Sequence, residues 1–348
     1  MNIDIIVVHY GELSRTLECV ESYVLAAKKF VNVVDSKIGI CIVDNSNNLG
    51  SSFGQYASVR VDILKPARNL GFAGGICLAT RMLSNADFFI FSNNDLVVSE
   101  DLLLELWKAY SLLPNAGALQ PCVLGYDVNV DSLGCTSNPL MFSLNYSNWP
   151  IKPIRKLHLD GCSAIEVYGV EGMVIFVSKQ NWFRYGQWDP DFFMFCEDLL
   201  LSWKLRVAGL KNYVAQEAIV RHIRGGSAEG RFIKKNPIFP SYYTSRNRLL
   251  SILYLYDAKW LLEYFPLALI SELAKNLFLT LHRRDVSHIS YYLKGIAFIL
   301  RNPAHVKCQR SKVTRLESPE DFMKKGAILS FRKWFKLILE KRSAVLSE

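Results

Sequence analysis

No two of the eight cysteines stand in a Cys-x-x-Cys pair; they are scattered at positions 19, 41, 77, 122, 135, 162, 196 and 308. That scatter argues against a zinc site. Several of them lie among apolar residues and read as small buried hydrophobes. Nothing in the pattern asks for an oxidising compartment. A basic n-region and a cleavage site are missing from the start, where Met1-Asn2-Ile3-Asp4-Ile5 reads as a strand beginning, so a cytoplasmic enzyme is expected. There is no Walker loop, no clean Gly-x-Gly-x-x-Gly and no RNA- or DNA-binding motif. The apolar stretch Trp260 to Leu281 is interrupted by Glu263, Pro266, Glu272 and Lys275, which argues against a membrane span. Charged residues are scarce at 21%, whereas hydrophobic residues reach 50%, which excludes a disordered chain and supplies a large core.

What is present begins with size and charge. The 348 residues suit one large or two smaller domains. A net charge of +9 admits nucleic acid, an anionic membrane surface or anionic small molecules as partners. The stretch Phe88-Phe89-Ile90-Phe91-Ser92-Asn93-Asn94-Asp95 organises the rest. Its continuous apolar run reads as a strand buried on both faces. Asn93, Asn94 and Asp95 then sit at the carboxyl end, where open parallel sheets bind ligands. Their oxygens suit a hard divalent ion and, through it, a diphosphate. The same residues also suit an ordinary Asn-rich turn.

Around this stretch the chain alternates strand and helix. Ile3 to Gly11, Ile38 to Val43 and Val59 to Leu64 read as strands, and Ser14 as the N-cap of the first helix. A helix over Ile76 to Leu83 leads into the Phe88 strand, and Leu102 to Leu113 is an amphipathic helix. The alternation describes a parallel sheet with helical crossovers. Asp44 ends the second strand and can accept hydrogen bonds from a base or a ribose hydroxyl. Gly71, Gly74 and Gly75 either let the backbone approach a ligand or serve helix packing. Asn115 to Lys156 reads as strands and loops over the active-site mouth, and Val167 to Ser178 as one glycine-interrupted strand. Glu197-Asp198 opens a helix after an apolar run. Taken alone it reads first as a first-turn acidic pair, and otherwise as a general base held in an apolar setting. His222 ends a strand, where it is either structural or a further metal ligand. The loop beyond it, with Arg224, Gly225-Gly226-Ser227, Arg231, Lys234 and Lys235, can fold over a diphosphate.

The order of these pieces resembles the inverting family-2 glycosyltransferases with the GT-A fold, in the rhamnosyltransferase-like branch. The matching segments are Val7-Val8-His9-Tyr10, Ile42-Val43-Asp44-Asn45-Ser46, Arg68-Asn69-Leu70-Gly71-Phe72-Ala73-Gly74-Gly75, Ser92-Asn93-Asn94-Asp95, Glu171-Gly172-Met173, Asp191-Phe192-Phe193-Met194-Phe195-Cys196-Glu197-Asp198 and Val220-Arg221-His222. The resemblance implies an α/β, Rossmann-like, mostly parallel sheet flanked by helices, over residues 1–238. It implies a donor site of His9, Tyr10, Asp44, Asn69, Gly71, Gly74 and Asn94. It implies a Mg²⁺ or Mn²⁺ site of Asp95, Asn93 and His222, with Asn93 standing where many relatives carry Asp. It makes Asp198 the base, supported by Glu197, in a single inverting displacement. The donor is a nucleotide-diphosphate sugar and the acceptor a glycan or polyprenyl-linked glycan. Rhamnose from a dTDP donor rests on the branch resemblance alone. The competing readings are a nucleotidyltransferase, for which His9-Tyr10-Gly11-Glu12 lacks a basic phosphate loop, and a non-catalytic scaffold at a membrane surface.

Residues 239–348 form a helical, apolar and basic C-terminal extension. Ser241 to Arg248 resembles a stretch that lies near donor phosphates or acceptor in the same branch. Leu249 to Tyr256, Trp260 to Leu281 and Ile289 to Leu300 are apolar helices, with His282-Arg283-Arg284 beside them. The tail sets Lys324, Lys325, Arg332, Lys333, Lys336, Lys341 and Arg342 among Phe331, Trp334, Phe335, Leu337 and Ile338. This pattern suits either an anionic membrane surface on the inner face of the cell membrane or a solvated basic helix. The excess positive charge gathers here, which favours membrane docking over nucleic acid.

Overall fold

The β-branched N-terminal run forms strand β1 (Asn2–His9), buried from Ile3 onward. Its geometry comes from a computed structural model that describes residues 1–50, 59–83, 85–125, 129–149, 151–222 and 238–337. The basic loop from Arg224 to Lys235 and the end of the tail, with Ile338, Lys341 and Arg342, lie outside the described residues. Strands β2 (Lys37–Asp44) and β4 (Phe88–Asn93) flank β1 in parallel, and β3 (Arg60–Leu64) extends the sheet beyond β2. Helices α1 (Leu13–Val31) and α2 (Gly71–Met82) make the crossovers.

Alternation along the strands sorts side chains to two cores. Ile3, Ile5, Val7 and Ile90 pack with Val20, Tyr23 and Val24 of α1. Ile6, Val8, Phe89 and Phe91 pack on the other face with Ala73 and Ile76 of α2. The Phe88 strand is thus covered on both faces, as its unbroken apolar run requires. Helix α1 begins one residue before Ser14: Glu12 stands at the cap without a side-chain cap bond and pairs with Arg15 at 2.8 Å.

Beyond β4 the sheet becomes mixed. In chain order come β5 (Leu96–Val98), α3 (Leu102–Leu112), β6 (Ala116–Leu124), β7 (Val130–Ser132), β8 (Cys135–Ser137), β9 (Ser143–Asn145), β10 (Arg155–Leu159), β11 (Cys162–Val167) and β12 (Val174–Ser178). A short turn α4 (Lys179–Asn181), α5 (Glu197–Val207) and β13 (Lys211–His222) follow. The main order is β10-β11-β13-β6-β12-β4-β1-β2-β3. Two sequence expectations need correction. The stretch from Asn115 does not only roof the mouth, because β6 is a buried strand inside the sheet between β13 and β12. Val167 to Ser178 is not one strand: the chain leaves β11, bonds Gly169 to Cys135, and re-enters the sheet as β12, antiparallel to β4.

The C-terminal helices are α6 (Ile238–Leu255), α7 (Ala258–Arg283), α8 (Ser287–Arg301), α9 (Pro303–Ser311) and α10 (Pro319–Lys324). Leu249, Leu250, Ile252 and Tyr254 of α6 belong to the same buried cluster as Phe89 and Phe91. No described helix is long and apolar enough to cross a membrane.

Candidate active site

Parallel pairing brings the strand ends to one edge. The register sets His9 beside Asp44 and Val8 beside Asn93, and the antiparallel pairing of β13 with β5 sets His222 beside Leu96. Met173, just before β12, accepts the N–H of Asn93 at 3.1 Å. A cleft of about 750 Å³ opens over this edge. Its walls carry Tyr10, Asn45, Asn69, Gly71, Asn93, Asn94, Glu171, Glu197, Asp198 and His222, with Phe72, Met173, Phe193, Met194, Phe195 and Phe239 as the apolar part. A mostly apolar cleft with a few convergent polar groups is the usual form of a small-molecule site.

Not every expected residue reaches it. His9 is wholly buried, its Nδ1 2.6 Å from Thr16 Oγ1 and its Nε2 2.7 Å from Asn48 Oδ1. Burial lowers its pKa and keeps the ring neutral. Asp44 is buried as well. Its carboxylate accepts N–H bonds from Ser46, Asn48 and Leu49 at 3.2, 3.4 and 2.9 Å, closing the turn after β2. Asp44 is not among the cleft walls, whereas the neighbouring Asn45 is, its amide accepting the Leu70 N–H and donating to the Gly71 carbonyl, both at 3.0 Å. Gly74 lines a second, adjacent hollow with Arg68, Asn69, Arg81 and Asp191 rather than the main cleft. Gly71 has φ +68°, and a Cβ there would overlap Phe193. Asn94 donates to Thr16 Oγ1 at 2.8 Å.

Asp198 and Glu197 open α5, where the helix dipole favours negative charge. Asp198 Oδ2 accepts the Gly172 N–H at 3.0 Å, and Oδ1 accepts the Leu199 N–H at 2.7 Å. Burial raises the Asp198 carboxyl above the usual carboxylate range, with those N–H groups pulling the other way. Glu171 stands on the same wall and was given no separate role by the sequence. Its Oε2 accepts from Ser132 Oγ and, at 2.6 Å, from Asn145 Nδ2. Burial pushes its pKa up to about 7; the Ser132 bond lowers it and the Asp198 charge adds to the rise.

His222 lies between two carboxylates. Its Nε2 is 3.5 Å from Asp95 Oδ1 and its Nδ1 3.3 Å from Asp131 Oδ2. Burial works against its charge, yet Asp95 and Asp131 outweigh it and raise the imidazole pKa. Asp131 carried no sequence signal, because β7 is too short to show a period. The resemblance read from the sequence implies a divalent ion at Asp95, Asn93 and His222. Asn93 and His222 line the cleft, whereas Asp95 is buried behind His222 and is not among the cleft walls. Their oxygens and imidazole are donor types such an ion accepts. Among the described residues, the trio of acidic and histidine side chains whose ligand atoms all lie within 4.8 Å of one another is elsewhere, at Asp189, Asp191 and His305. Asp189 Oδ2 there already accepts from Tyr254 Oη at 2.7 Å and lies 2.7 Å from His305 Nε2, which ties α6 and α9 to the core.

No protein-family model and no curated protein matches the chain. Among solved structures, GalNAc-T7 with UDP, GalNAc and Mn²⁺ is similar at TM-score 0.54 and 14% identity, over 74% of this chain and 48% of that one. The chain therefore spans about half the length of that protein. Two others are S. aureus TarS 1-349, at TM-score 0.46 and 10% identity over 84% of this chain and 89% of that one, and the mannosyltransferase PcManGT from Pyrobaculum calidifontis with GDP-Man and Mn²⁺, at 0.46 and 12% over 89% and 84%. The fold is that of the GT-A glycosyltransferases.

Proposed function

We propose that this chain is an inverting glycosyltransferase that moves a sugar from a nucleotide diphosphate to an acceptor hydroxyl, in one displacement, with Asp198 as the base. The observation that carries the reading is convergence. The carboxyl ends of β1 and β4 and the Glu197-Asp198 helix start, far apart in the chain, face a single cleft. Tyr10 and Asn69 line the part of the cleft assigned to the nucleotide and its phosphates, with Asn45 fixing the Leu70-Gly71 backbone beside them. Asp95, His222 and the Asn93 amide would hold a Mg²⁺ or Mn²⁺ ion, which supplies positive charge to the departing diphosphate. Asp198, held by two backbone N–H groups and raised in pKa, takes the proton of the acceptor hydroxyl as it attacks. Glu197 and Glu171 stand beside it on the same wall. The rhamnosyltransferase-like branch, the glycan or lipid-linked acceptor and the division near residue 238 belong to this proposal.

The experiment is calorimetry of the full chain against UDP, dTDP and GDP, with and without Mn²⁺, followed by transfer assays with the matching nucleotide sugar. One nucleotide should bind in a metal-dependent way, and Asp95→Ala should lose that dependence. Asp198→Asn should bind the nucleotide as the wild type does while transfer falls by roughly 10²–10⁴-fold, the usual contribution of a general base. Binding of none of the three nucleotides, or full transfer by Asp198→Asn, would sink the reading.

A further inference from the structure

Directly ahead of Glu197 the backbone takes a shape that L-residues avoid. Phe193, Phe195 and Cys196 have φ of 62°, 70° and 66°. None is glycine, asparagine or aspartate, the types that visit the left-handed region at small cost. Strain of this kind persists only where the surroundings over-determine it. The Phe193 carbonyl accepts the Ala73 N–H at 3.0 Å, near the start of α2. The neighbouring carbonyls are held by one side chain of α6. Asn247 Nδ2 donates to the carbonyls of Phe192, Met194 and Phe195 at 2.9, 2.9 and 2.8 Å. An amide nitrogen carries only two hydrogens, so one of them is shared.

Asn247 is wholly buried, and its orientation follows from its neighbour. Arg246 Nε and Nη2 donate to Asn247 Oδ1 at 3.0 and 2.8 Å. The amide oxygen therefore faces the guanidinium and the amide nitrogen faces the loop; the reverse assignment would set donors against donors. Arg246 is fixed in turn. Its guanidinium carbon lies 5.0, 4.9 and 4.8 Å from the ring centroids of Tyr242, Tyr243 and Phe298.

We infer that Asn247, oriented by Arg246, is a positioning residue that clasps the Phe192–Cys196 backbone in its left-handed shape and so sets where Asp198 stands in the cleft. The catalytic meaning of this rests on reading Asp198 as the base; the clasp itself does not. Helix α5 starts at Glu197, so a change of φ at Cys196 swings its first turn and carries Asp198 off Gly172. The Gly172 amide, bonded to Asp198 Oδ2, reports that movement.

Hydrogen–deuterium exchange of the full chain tests it, comparing wild type with Asn247→Asp, which keeps the shape and removes the N–H donors. Peptides carrying Gly172 and residues 193–199 should exchange at least ten-fold faster, while β1 and β2 stay unchanged. Adding Cys196→Gly should recover part of the slow exchange at Gly172, because glycine enters a positive φ without the side-chain cost. Faster exchange everywhere, no change, or no rescue by glycine overturns the clasp. Should Asn247→Asp not fold, wild-type protein labelled with ¹⁵N-asparagine decides: the Asn247 carboxamide protons should exchange at least a hundred-fold slower than those of exposed asparagines, and equal rates overturn it. Full transfer by Asp198→Asn would remove the base assignment and leave the exchange result standing, so the two ideas fail separately.

Discussion

Glu171 shows how one side chain's surroundings decide its charge. Burial raises its pKa from the ordinary 4.5 to about 7, so the fold favours the protonated form. The stability this lends is full below about pH 4.5 and is lost as pH rises through 7. Because the carboxyl opens onto the cleft, we take the loss as on the order of 2 kcal/mol. Urea denaturation from pH 5 to 8 checks this. The wild type should lose stability relative to Glu171→Gln across that interval, and parallel curves would count against the assignment. At this scale the sequence was informative only in part. Asn93, Asn94 and Asp198 could be read because polar residues at the end of an apolar run stand out. Asp131 could not, since nothing local links it to His222. The place of His9 and Asp44 at strand ends was visible, whereas their hydrogen bonds to Thr16, Asn48 and the turn after β2 were not.

Elements meet with tolerances that single residues set. Gly71 opens α2 at φ +68°, and a Cβ there would overlap the Phe193 backbone. Gly209, at φ +82° after α5, has no atom within 4 Å of the Cβ position. Both Gly→Ala changes incur the left-handed backbone cost of about 1–3 kcal/mol, but only Gly71→Ala adds a collision with the loop that leads to Asp198. Gly71→Ala should therefore lower the denaturation midpoint more than Gly209→Ala and should also weaken nucleotide binding. Equal losses would show that the contact with Phe193 does not matter. The parallel elements β1, β2 and β4 were legible because each strand is a buried apolar run, while β3 at the sheet edge is partly exposed. The division of Val167 to Ser178 was not, because both halves are apolar and the break depends on Cys135 and Asp198 bonding to Gly169 and Gly172.

Over the whole molecule, the core of β1 and β4 extends into α6, while α7 and α8 leave Leu262, Ile270, Phe278, Leu281, Leu293 and Leu300 exposed beside Arg283, Arg284, Lys294 and Arg301. With the net charge of +9, this is the surface on which the sequence expectation of docking at an anionic bilayer rests. Sedimentation with vesicles should show binding to phosphatidylglycerol-containing membranes that weakens with salt and in an Ile270→Ser/Leu281→Ser variant. Equal recovery with neutral vesicles would count against it. By itself the sequence determined the alternation of buried strands and helices and the polar residues at their ends, because burial on two faces and turn chemistry are written locally. Only the tertiary structure decided which of those ends share a cleft, that Asp131 joins Asp95 at His222, and that Asn247 holds the approach to Asp198. Those are contacts between segments far apart in the chain, and their energies exist only once the segments have packed.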